Sequence, residues 1–210
     1  MQIRFPERPG ASGASRFDAA PAAVWRALAA TALACGFAAT ACAQDEAPPS
    51  FEVTSLSFGD GETIPKRHTC DGDDLSPPLR FDGAPAGTAC FAVVMYQADE
   101  GQTAVAHWLA WRIPAGAAGL GEGVPRGEAP YQGVLQGTND LDVIGYSGPC
   151  ADEVEEGEDP DTATHRYVFM AYALSAGPAV DPGASAASLL AAMDGLVVGQ
   201  GALEGFYGAE

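Results

Sequence analysis

The stretch THRYVF at residues 164–169 opens the run RYVFMAYAL at Arg166–Leu174, which is apolar almost throughout. A run of this length without glycine or proline predicts a β-strand, and it is the last strong strand signal in the chain. Because side chains alternate between the two faces of a strand, His165 and Tyr167 are predicted to point the same way, beside Phe169. A polar rim over an apolar floor is the geometry of a small binding pocket.

Two earlier runs predict the strands that accompany this one. TACFAVVMY at Thr88–Tyr96 is apolar on both faces, as expected of a central strand, and VAHWLAWRI at Val105–Ile113 stops at a proline. Strict alternation places His107 on the same face as Leu109 and Trp111. The sheet is therefore predicted to hold two of the chain's three histidines.

The remaining signals of secondary structure are short. FEVTSLSF at Phe51–Phe58 predicts a first strand, and a weak strand signal surrounds Val134. One helix is predicted at Ser185–Asp194, with the serine as its N-cap and Gly195 as the residue that follows its end. With 26 Gly and 16 Pro, the chain favours many turns and short strands, so the predicted fold class is mainly β.

The first 43 residues have a composition of their own. VWRALAATALACGFAATACA at Val24–Ala43 is apolar, follows an arginine-containing region and ends in an A-x-A pattern before Gln44. The pattern predicts an export signal over residues 1–43, a linker over 44–50 and one domain over 51–210, in a periplasmic or secreted protein. A buried helix or a membrane anchor is the alternative interpretation of the apolar run.

Cys42 leaves a second form of this signal open. Ala39–Cys42 has the sequence ATAC, a degraded lipobox, because leucine is usual three residues before the cysteine. A lipid-anchored form attached through Cys42 is therefore an alternative to simple cleavage. No transmembrane segment is predicted in the mature chain.

Charge excludes some classes of partner. The first 43 residues hold four of the ten basic and two of the 28 acidic residues, so the mature chain has six basic residues, 26 acidic ones and a net charge of −20. Such a surface repels nucleic acid and anionic lipid headgroups. The sequence therefore predicts neither a nucleic-acid-binding protein nor one that binds anionic membranes by charge.

Three cysteines remain after the predicted cleavage. Cys90 lies in an apolar strand and is predicted to be a core residue. In an oxidising compartment the other two, Cys70 and Cys150, are the favoured pair for a disulfide.

Five short motifs occur in a recognisable order along the chain: DGDDLSPPL at 71–79, Ala98-Asp99, His107-Trp108, Gly148-Pro149-Cys150 and His165-Arg166-Tyr167. In this order and spacing the chain resembles the phosphatidylethanolamine-binding protein family, in its bacterial Raf-kinase-inhibitor-like (YbhB/YbcL) branch. The resemblance extends over about residues 51–208. It implies a β-sandwich with a large central sheet, a smaller sheet and few short helices.

The resemblance also implies a small anion-binding pocket at one end of the fold, lined by Asp99, His107, Gly148, Pro149, His165 and Tyr167. The chain departs from the family pattern in two places. Gln97 and Gly101 replace the first aspartate and a proline of the acidic loop. The turn at Cys150 is followed by 14 residues, of which seven are acidic, before His165. Both changes border the predicted pocket.

Each pocket residue has an expected role. A protonated histidine and the Tyr167 hydroxyl can donate hydrogen bonds to a phosphate or carboxylate oxygen. Asp99 would repel an anion, so its expected role is to orient and charge a neighbouring histidine. The turn Ser147-Gly148-Pro149 is expected to expose backbone N–H groups towards the ligand.

Two further stretches have less specific interpretations. His68, beside Lys66 and Arg67, is either a surface patch that steers anions or part of a solvated loop. The acidic run at Asp152–Asp161 is either a calcium ligand set or a solvated loop. Without a recognised metal-ligand spacing, no metal or cofactor is predicted.

Three functions compete at this point. The favoured one is a non-enzymatic exported binding protein that holds a small anionic group, such as phosphate or a phospho-headgroup, and inhibits or modulates another, unknown protein. The second is a hydrolase that uses the histidine and aspartate cluster, with Ser147 as a conceivable nucleophile. The third is a structural protein of the cell envelope. No nucleophile elbow or HExxH motif in the sequence supports the hydrolase hypothesis.

Overall fold

The computed structural model describes residues 48–99, 103–130, 132–151 and 164–208. The predicted export signal and all but the last three residues of the predicted linker lie outside these ranges, as does most of the acidic insertion. No helix among the described residues is both long and apolar enough to cross a membrane.

The fold has two sheets. The larger sheet has six strands in the order β2-β9-β8-β4-β5-β7, and the smaller has the order β1-β3-β6. The elements are β1 Glu52–Thr54, β2 Glu62–Thr63, β3 Leu79–Asp82, β4 Cys90–Gln97, β5 Val105–Pro114, β6 Gly119–Leu120, β7 Leu135–Gln136, β8 Thr164–Leu174, α1 Ala186–Met193 and β9 Val197–Gly208. Two short 3-10 helices cover Lys66–His68 and Ala115–Ala117. The predicted mainly β architecture, with a large sheet, a smaller sheet and few helices, is confirmed.

The three long apolar runs form strands where predicted. β4 and β8 are neighbours in the middle of the large sheet, and β5 flanks β4 on its other side. β4 is buried along almost its whole length, which explains why it is apolar on both faces. The helix is also confirmed, since the side chain of Ser185 accepts a hydrogen bond from the backbone N–H of Ser188.

The two sheets meet through aromatic rings. The ring centroids of Phe81 in β3 and Phe91 in β4 are 4.7 Å apart, and the ring of Phe51 contacts both. Phe58, in the turn after β1, packs on Phe169 of β8 with centroids 5.9 Å apart. These contacts fill the core between the layers and fix one end of the smaller sheet against the larger.

The strand β9 contradicts the prediction that Arg166–Leu174 is the last strong strand. β9 pairs antiparallel with β8 along almost its full length. Its glycines hid it, because they weaken strand propensity. At Gly201, an added Cβ would lie 2.3 Å from the carbonyl oxygen of Phe51, so glycine here allows the chain leading into β1 to approach closely. The first predicted strand was too long, since only Glu52–Thr54 of Phe51–Phe58 is strand.

A β-bulge decides where His107 points. Met95 pairs with Trp108 and Tyr96 pairs with Ala106, which leaves His107 as the extra residue of β5. A bulge breaks strict alternation, so two successive side chains share one side. The prediction that His107 lies with Leu109 and Trp111 is therefore wrong, because its ring contacts a residue of the core between the sheets.

Candidate functional site

His107 and Tyr167 meet on the inner face of the large sheet. They belong to β5 and β8, which are separated by β4. Their ring centroids are 5.3 Å apart and the ring planes cross at 87°, an edge-to-face contact. His107 is 5% exposed and Tyr167 is 1% exposed. The bulge in β5 thus brings an imidazole and a phenol from two strands to one point.

The ring of His107 has a defined tautomer. Its Nδ1 lies 3.0 Å from the carbonyl oxygen of Ser147, which can only accept a hydrogen bond, so Nδ1 carries the proton. Nε2 has no hydrogen-bond partner among the described residues. Burial lowers the pKa of His107, and it outweighs the Ser147 carbonyl and the charges of Asp140 and Asp74, which act in the opposite direction. Near neutral pH the ring is therefore uncharged.

Asn139 holds the bulge in place. Its side-chain N–H donates to the His107 carbonyl oxygen at 2.8 Å and to Ser147 Oγ at 3.0 Å. Its side-chain oxygen accepts from the backbone N–H groups of Leu141 and Val143, both at 3.0 Å. Asn139 is 3% exposed, so these bonds are made in a nearly dry environment. No motif or periodicity in the sequence predicted a role for this residue.

Asp99 is attached to His165. Asp99 Oδ2 lies 2.7 Å from His165 Nδ1 and accepts from Gln97 Nε2 at 2.9 Å, while Oδ1 accepts from the Arg166 backbone N–H at 2.9 Å. Burial acts to raise the pKa of Asp99, but the hydrogen bonds from Arg166, Gln97 and His165 together lower it. The carboxylate is thus held ionised beside the imidazole. Gln97, which departs from the family pattern, contributes one of the bonds that fix it.

The structure brings His165 to the same region as Tyr167. The two are separated by one residue on β8, which places their Cα atoms about 7 Å apart on the same face. Both lie at the end of the sheet that carries the Asp99 loop. Asp99, His107, His165 and Tyr167 are therefore the four predicted residues that the structure assembles.

The turn at Gly148 has a different role from the one predicted. The backbone N–H of Ser147 donates to the His107 carbonyl at 3.0 Å, and that of Gly148 donates to Asp74 Oδ1 at 2.7 Å. Pro149 has no N–H. The prediction that this turn offers backbone donors to an anion is wrong, because its donors are already used. An added Cβ at Gly148 would lie 2.6 Å from the His68 carbonyl oxygen, so close backbone packing explains the glycine.

A disulfide joins the loop before Asp71 to the turn after Pro149. Cys70 and Cys150, the pair favoured from the sequence, are bonded with their Cα atoms 5.2 Å apart. Next to them, Asp71 Oδ2 accepts from the Ala151 N–H at 3.0 Å and from the Tyr207 hydroxyl at 2.8 Å. Cys90 is buried and free, as predicted for a core cysteine.

Tyr207 is a further aromatic residue at this end of the sheet. It pairs with His165 across β8 and β9, and directly opposed residues share a face. Tyr207 was not predicted as a site residue because β9 itself was not predicted. Alternation would have found it: positions 199, 201, 203, 205 and 207 all lie on one face, as small or apolar residues followed by tyrosine.

His68 itself is neither part of a surface patch nor a solvated residue, so both interpretations are wrong for it, although its neighbours Lys66 and Arg67 are exposed. It is fully buried, with Nδ1 2.8 Å from the Leu75 carbonyl oxygen and Nε2 3.7 Å from a Glu122 carboxylate oxygen. Its own carbonyl accepts from the Tyr146 hydroxyl at 2.6 Å. The charge of the preceding Arg67 is also met by Glu122, at 3.0 Å. His68 is therefore a structural residue beneath the Gly148 turn.

Among the described residues, Ser147 and His107 do not form a serine–histidine catalytic pair. His107 Nδ1 contacts the carbonyl oxygen of Ser147, whereas the Ser147 hydroxyl oxygen is bonded by Asn139. Within the described ranges, no group of three or more histidine, cysteine, aspartate or glutamate side chains is arranged to hold a metal ion. The arrangement combines two imidazoles with the phenol of Tyr167, groups that can donate hydrogen bonds to a small anion, and Tyr207 lies beside them with its hydroxyl bonded to Asp71.

Comparison with known proteins gives a consistent result. The model of the family named phosphatidylethanolamine-binding protein matches residues 54–208. A UPF0098 protein of Methanothermobacter thermautotrophicus is 38% identical over 151 residues, which is 72% of this chain and 94% of that protein. The UPF0098 protein YbhB of Escherichia coli is 37% identical over 144 residues, 65% of this chain and 86% of that protein.

Two crystal structures have the same architecture. Escherichia coli YbcL, described as a member of the mammalian PEBP family, matches with a TM-score of 0.66 and 27% identity, over 77% of this chain and 99% of that one. A homologue of the same family from Chlamydia trachomatis matches with a TM-score of 0.64 and 29% identity, over the same shares of the two chains.

Proposed function

Because the chain belongs to the phosphatidylethanolamine-binding protein family, whose members are generally binding proteins rather than enzymes, we propose that it is a non-enzymatic binding protein for a small anionic group. The group is phosphate-like or a carboxylate. The observation that carries the proposal is the contact between His107 and Tyr167, made possible by the bulge, with the Asp99–His165 pair beside it.

The chemistry of these side chains suits an anion only in one protonation state. Since Nδ1 of His107 is committed to Ser147, the neutral ring presents a lone pair at Nε2, which repels negative charge. Protonation of Nε2 converts it into a charged donor, and a charge-assisted hydrogen bond is about twice as strong as a neutral one. Binding of an anion should therefore be coupled to uptake of a proton by His107.

Asp99 would support the same state at His165. Its carboxylate accepts from His165 Nδ1, so positive charge on that imidazole is stabilised from behind. The phenol of Tyr167 would add a neutral donor, and Tyr207, whose hydroxyl donates to Asp71, would add an apolar wall. A site of this kind can hold a phosphate group, whether free or part of a headgroup, and can present that surface to a protein partner whose activity it modulates.

The test is a titration of the full mature chain with inorganic phosphate, phosphoethanolamine, acetate and methylammonium, followed by thermal unfolding. Each bound anion is expected to stabilise the fold by about 2.7 kcal/mol at a hundredfold excess over its dissociation constant. His165→Ala and Tyr167→Phe are each expected to weaken this response with little loss of fold. Tyr172→Phe, which alters a buried tyrosine on the opposite face of β8, is the matched control.

The outcomes separate the competing functions. If anions stabilise the Tyr167→Phe and Tyr172→Phe variants equally, the result would contradict a pocket at Tyr167. Destabilisation of the protein by the metal chelator EDTA, added in a separate melting experiment, would favour a metal site and the hydrolase hypothesis. No response to any anion would favour the structural envelope protein.

We also propose that the protein is exported, with residues 1–43 removed. The pattern at Val24–Ala43 and the Cys70–Cys150 disulfide support this, since disulfides persist in oxidising compartments. Protein recovered from the periplasm or medium is expected to begin at Gln44, or at a lipid-modified Cys42, when its amino terminus is determined by mass spectrometry. Recovery of the uncleaved chain from the cytosol alone would contradict export.

A further inference from the structure

A groove lies between β1 and β9, on the far side of β9 from its partner β8. It has a volume of about 350 Å³, within the range of ligand sites. Its lining is formed by the chain from Phe51 to Ser55, by Phe58, Gly59 and Asp60 of the following turn, and by Ala202 and Leu203 of β9. We refer to this feature as the β1–β9 groove. None of the six residues predicted to line the anion-binding pocket lines this groove.

The edge of β9 is open where it faces this groove. In the β8–β9 ladder, alternate residues of β9 direct their backbone groups away from β8. Of these, Gln200 bonds Pro49 and Phe51, Glu204 bonds Asp60 and Gly61, and Phe206 accepts from Ile64. Ala202 has the same orientation, but its N–H and C=O bond no turn or loop residue within the described ranges, and β9 is not paired with β1 there. The segment of the chain that hydrogen-bonds to this edge of β9 leaves the strand after Phe51 and returns to it at Asp60.

The edge of β1 is open towards the same space. Phe81 of β3 donates its N–H to Ala118 and therefore directs its backbone groups away from β1. Its partner Val53 must then direct its own N–H and C=O away from β3. Neither group bonds a described turn or loop residue, and among the described strands β1 pairs with β3 alone. Two unpaired strand edges thus border one groove, and unpaired edges are templates for another strand.

The rim of the groove combines exposed apolar and acidic groups. Leu56, in the turn next to the lining residues Ser55 and Phe58, is 81% exposed. Glu52 and Asp60 are exposed carboxylates of the lining. Within the part of the chain that the structure describes, Arg80 is a cation close to the groove, since it pairs with Thr54 across β1 and β3. The local charge is therefore negative and complements a basic partner.

We propose that the β1–β9 groove binds an extended segment of a partner polypeptide that carries basic side chains, by addition of a strand to the open edges at Val53 and Ala202. Main-chain hydrogen bonds would provide affinity, and the carboxylates and Leu56 would select basic and apolar side chains at alternate positions. A small solute would leave most of the two edges unpaired, whereas an extended chain supplies both donors and acceptors at the spacing that the edges require.

The test uses the full mature chain and the blocked hexapeptide acetyl-Thr-Val-Arg-Val-Lys-Thr-amide. Amide hydrogen exchange at Ala202 and Val53 is measured by NMR with and without the peptide. Both amides are expected to exchange rapidly in the free protein and at least about tenfold more slowly in the complex, as new hydrogen bonds protect them. The same peptide with glutamate in place of arginine and lysine, and a backbone N-methylated version, should give no protection.

Two variants locate the binding. Ala202→Pro removes the N–H that faces the groove but no hydrogen bond to β8, and it should weaken peptide binding roughly tenfold. Glu52→Gln with Asp60→Asn keeps an oxygen for the Glu204 N–H while removing both charges, and it should weaken binding severalfold and flatten its salt dependence. His107→Asn should leave peptide binding unchanged.

Three results would overturn the proposal. Amides at Ala202 and Val53 that are slow in the free protein at every concentration would mean that the chain itself covers the groove. Slow exchange that depends on protein concentration would identify a second copy as the occupant. Binding of the peptide without protection of either amide would place it elsewhere.

Discussion

Replacing Cys70 and Cys150 together by serine is expected to lower the free energy of unfolding by between about 2 and 5 kcal/mol. The two residues are 80 positions apart in the sequence, so their bond removes the freedom of a long loop from the unfolded chain. For a loop of this size the expected loss of stability lies towards the upper end of this range, because the entropy of loop closure grows with loop length. This is a large fraction of the stability of an ordinary domain.

Chemical denaturation of the oxidised protein, the reduced protein and the double variant measures the effect. The reduced wild type and the double serine variant are expected to agree, since both lack the cross-link. Cys90→Ala is the control, because it removes the buried free thiol and keeps the bond. Its stability should still fall when reductant is added. A double variant as stable as the oxidised protein would show that the cross-link contributes nothing to stability.

The bond also joins two walls of the candidate site. Cys70 precedes Asp71, which accepts from Tyr207, and Cys150 follows the Gly148 turn. The backbone N–H of Cys70 donates to the Pro149 carbonyl at 2.8 Å, so the two segments are aligned by more than the disulfide. We infer that the site's wall is held by several local contacts, which the double variant would loosen but not remove.

The long strands of the fold were predictable because hydrophobicity alone specifies them. β4 and β8 are apolar runs buried on both faces, and a strand of this kind needs no knowledge of its partners. β9 was not predictable in this way. Its glycines serve the approach of Phe51 and of neighbouring segments, a requirement that exists only once the second layer is in place.

The candidate site was predictable as a set of residues but not as an arrangement. The resemblance supplied His107, His165, Tyr167 and Asp99, and the structure places them near one another. The inward direction of His107 depends on a bulge, and the bulge depends on hydrogen bonds from Asn139, which is distant in sequence. Periodicity describes a regular strand, so a bulged residue is where it fails.

Burial and ligand binding act on His107 in opposite directions. In the free protein the pKa of His107 is lowered, so the neutral ring is the form that the fold favours. The stability that goes with the neutral ring is present at pH values above the unfolded-state pKa of histidine, which is about 6.5. It is lost as the pH falls through the folded-state pKa. A bound anion favours the charged ring and raises the pKa again. Acidification should therefore destabilise the free protein and strengthen binding.

The affinity for sulfate is accordingly expected to fall as pH rises from about 5 to 8, by up to tenfold per unit above the pKa of free His107. Sulfate keeps a constant charge over this range, so the change reports on the protein. His107→Asn retains a side-chain N–H that can reach the Ser147 carbonyl but has no second nitrogen to protonate. Calorimetric titration of this variant at pH 5 should show an affinity between about tenfold and a hundredfold lower.

The pH dependence of the variant decides between a charged and a neutral donor at residue 107. Loss of the protonatable ring should leave a shallower profile. The free variant should also lose part of its acid destabilisation, since it no longer buries an imidazole that must become charged. Profiles of equal slope in the wild type and the variant would mean that His107 binds as a neutral group, and the coupling of anion to proton would then be wrong.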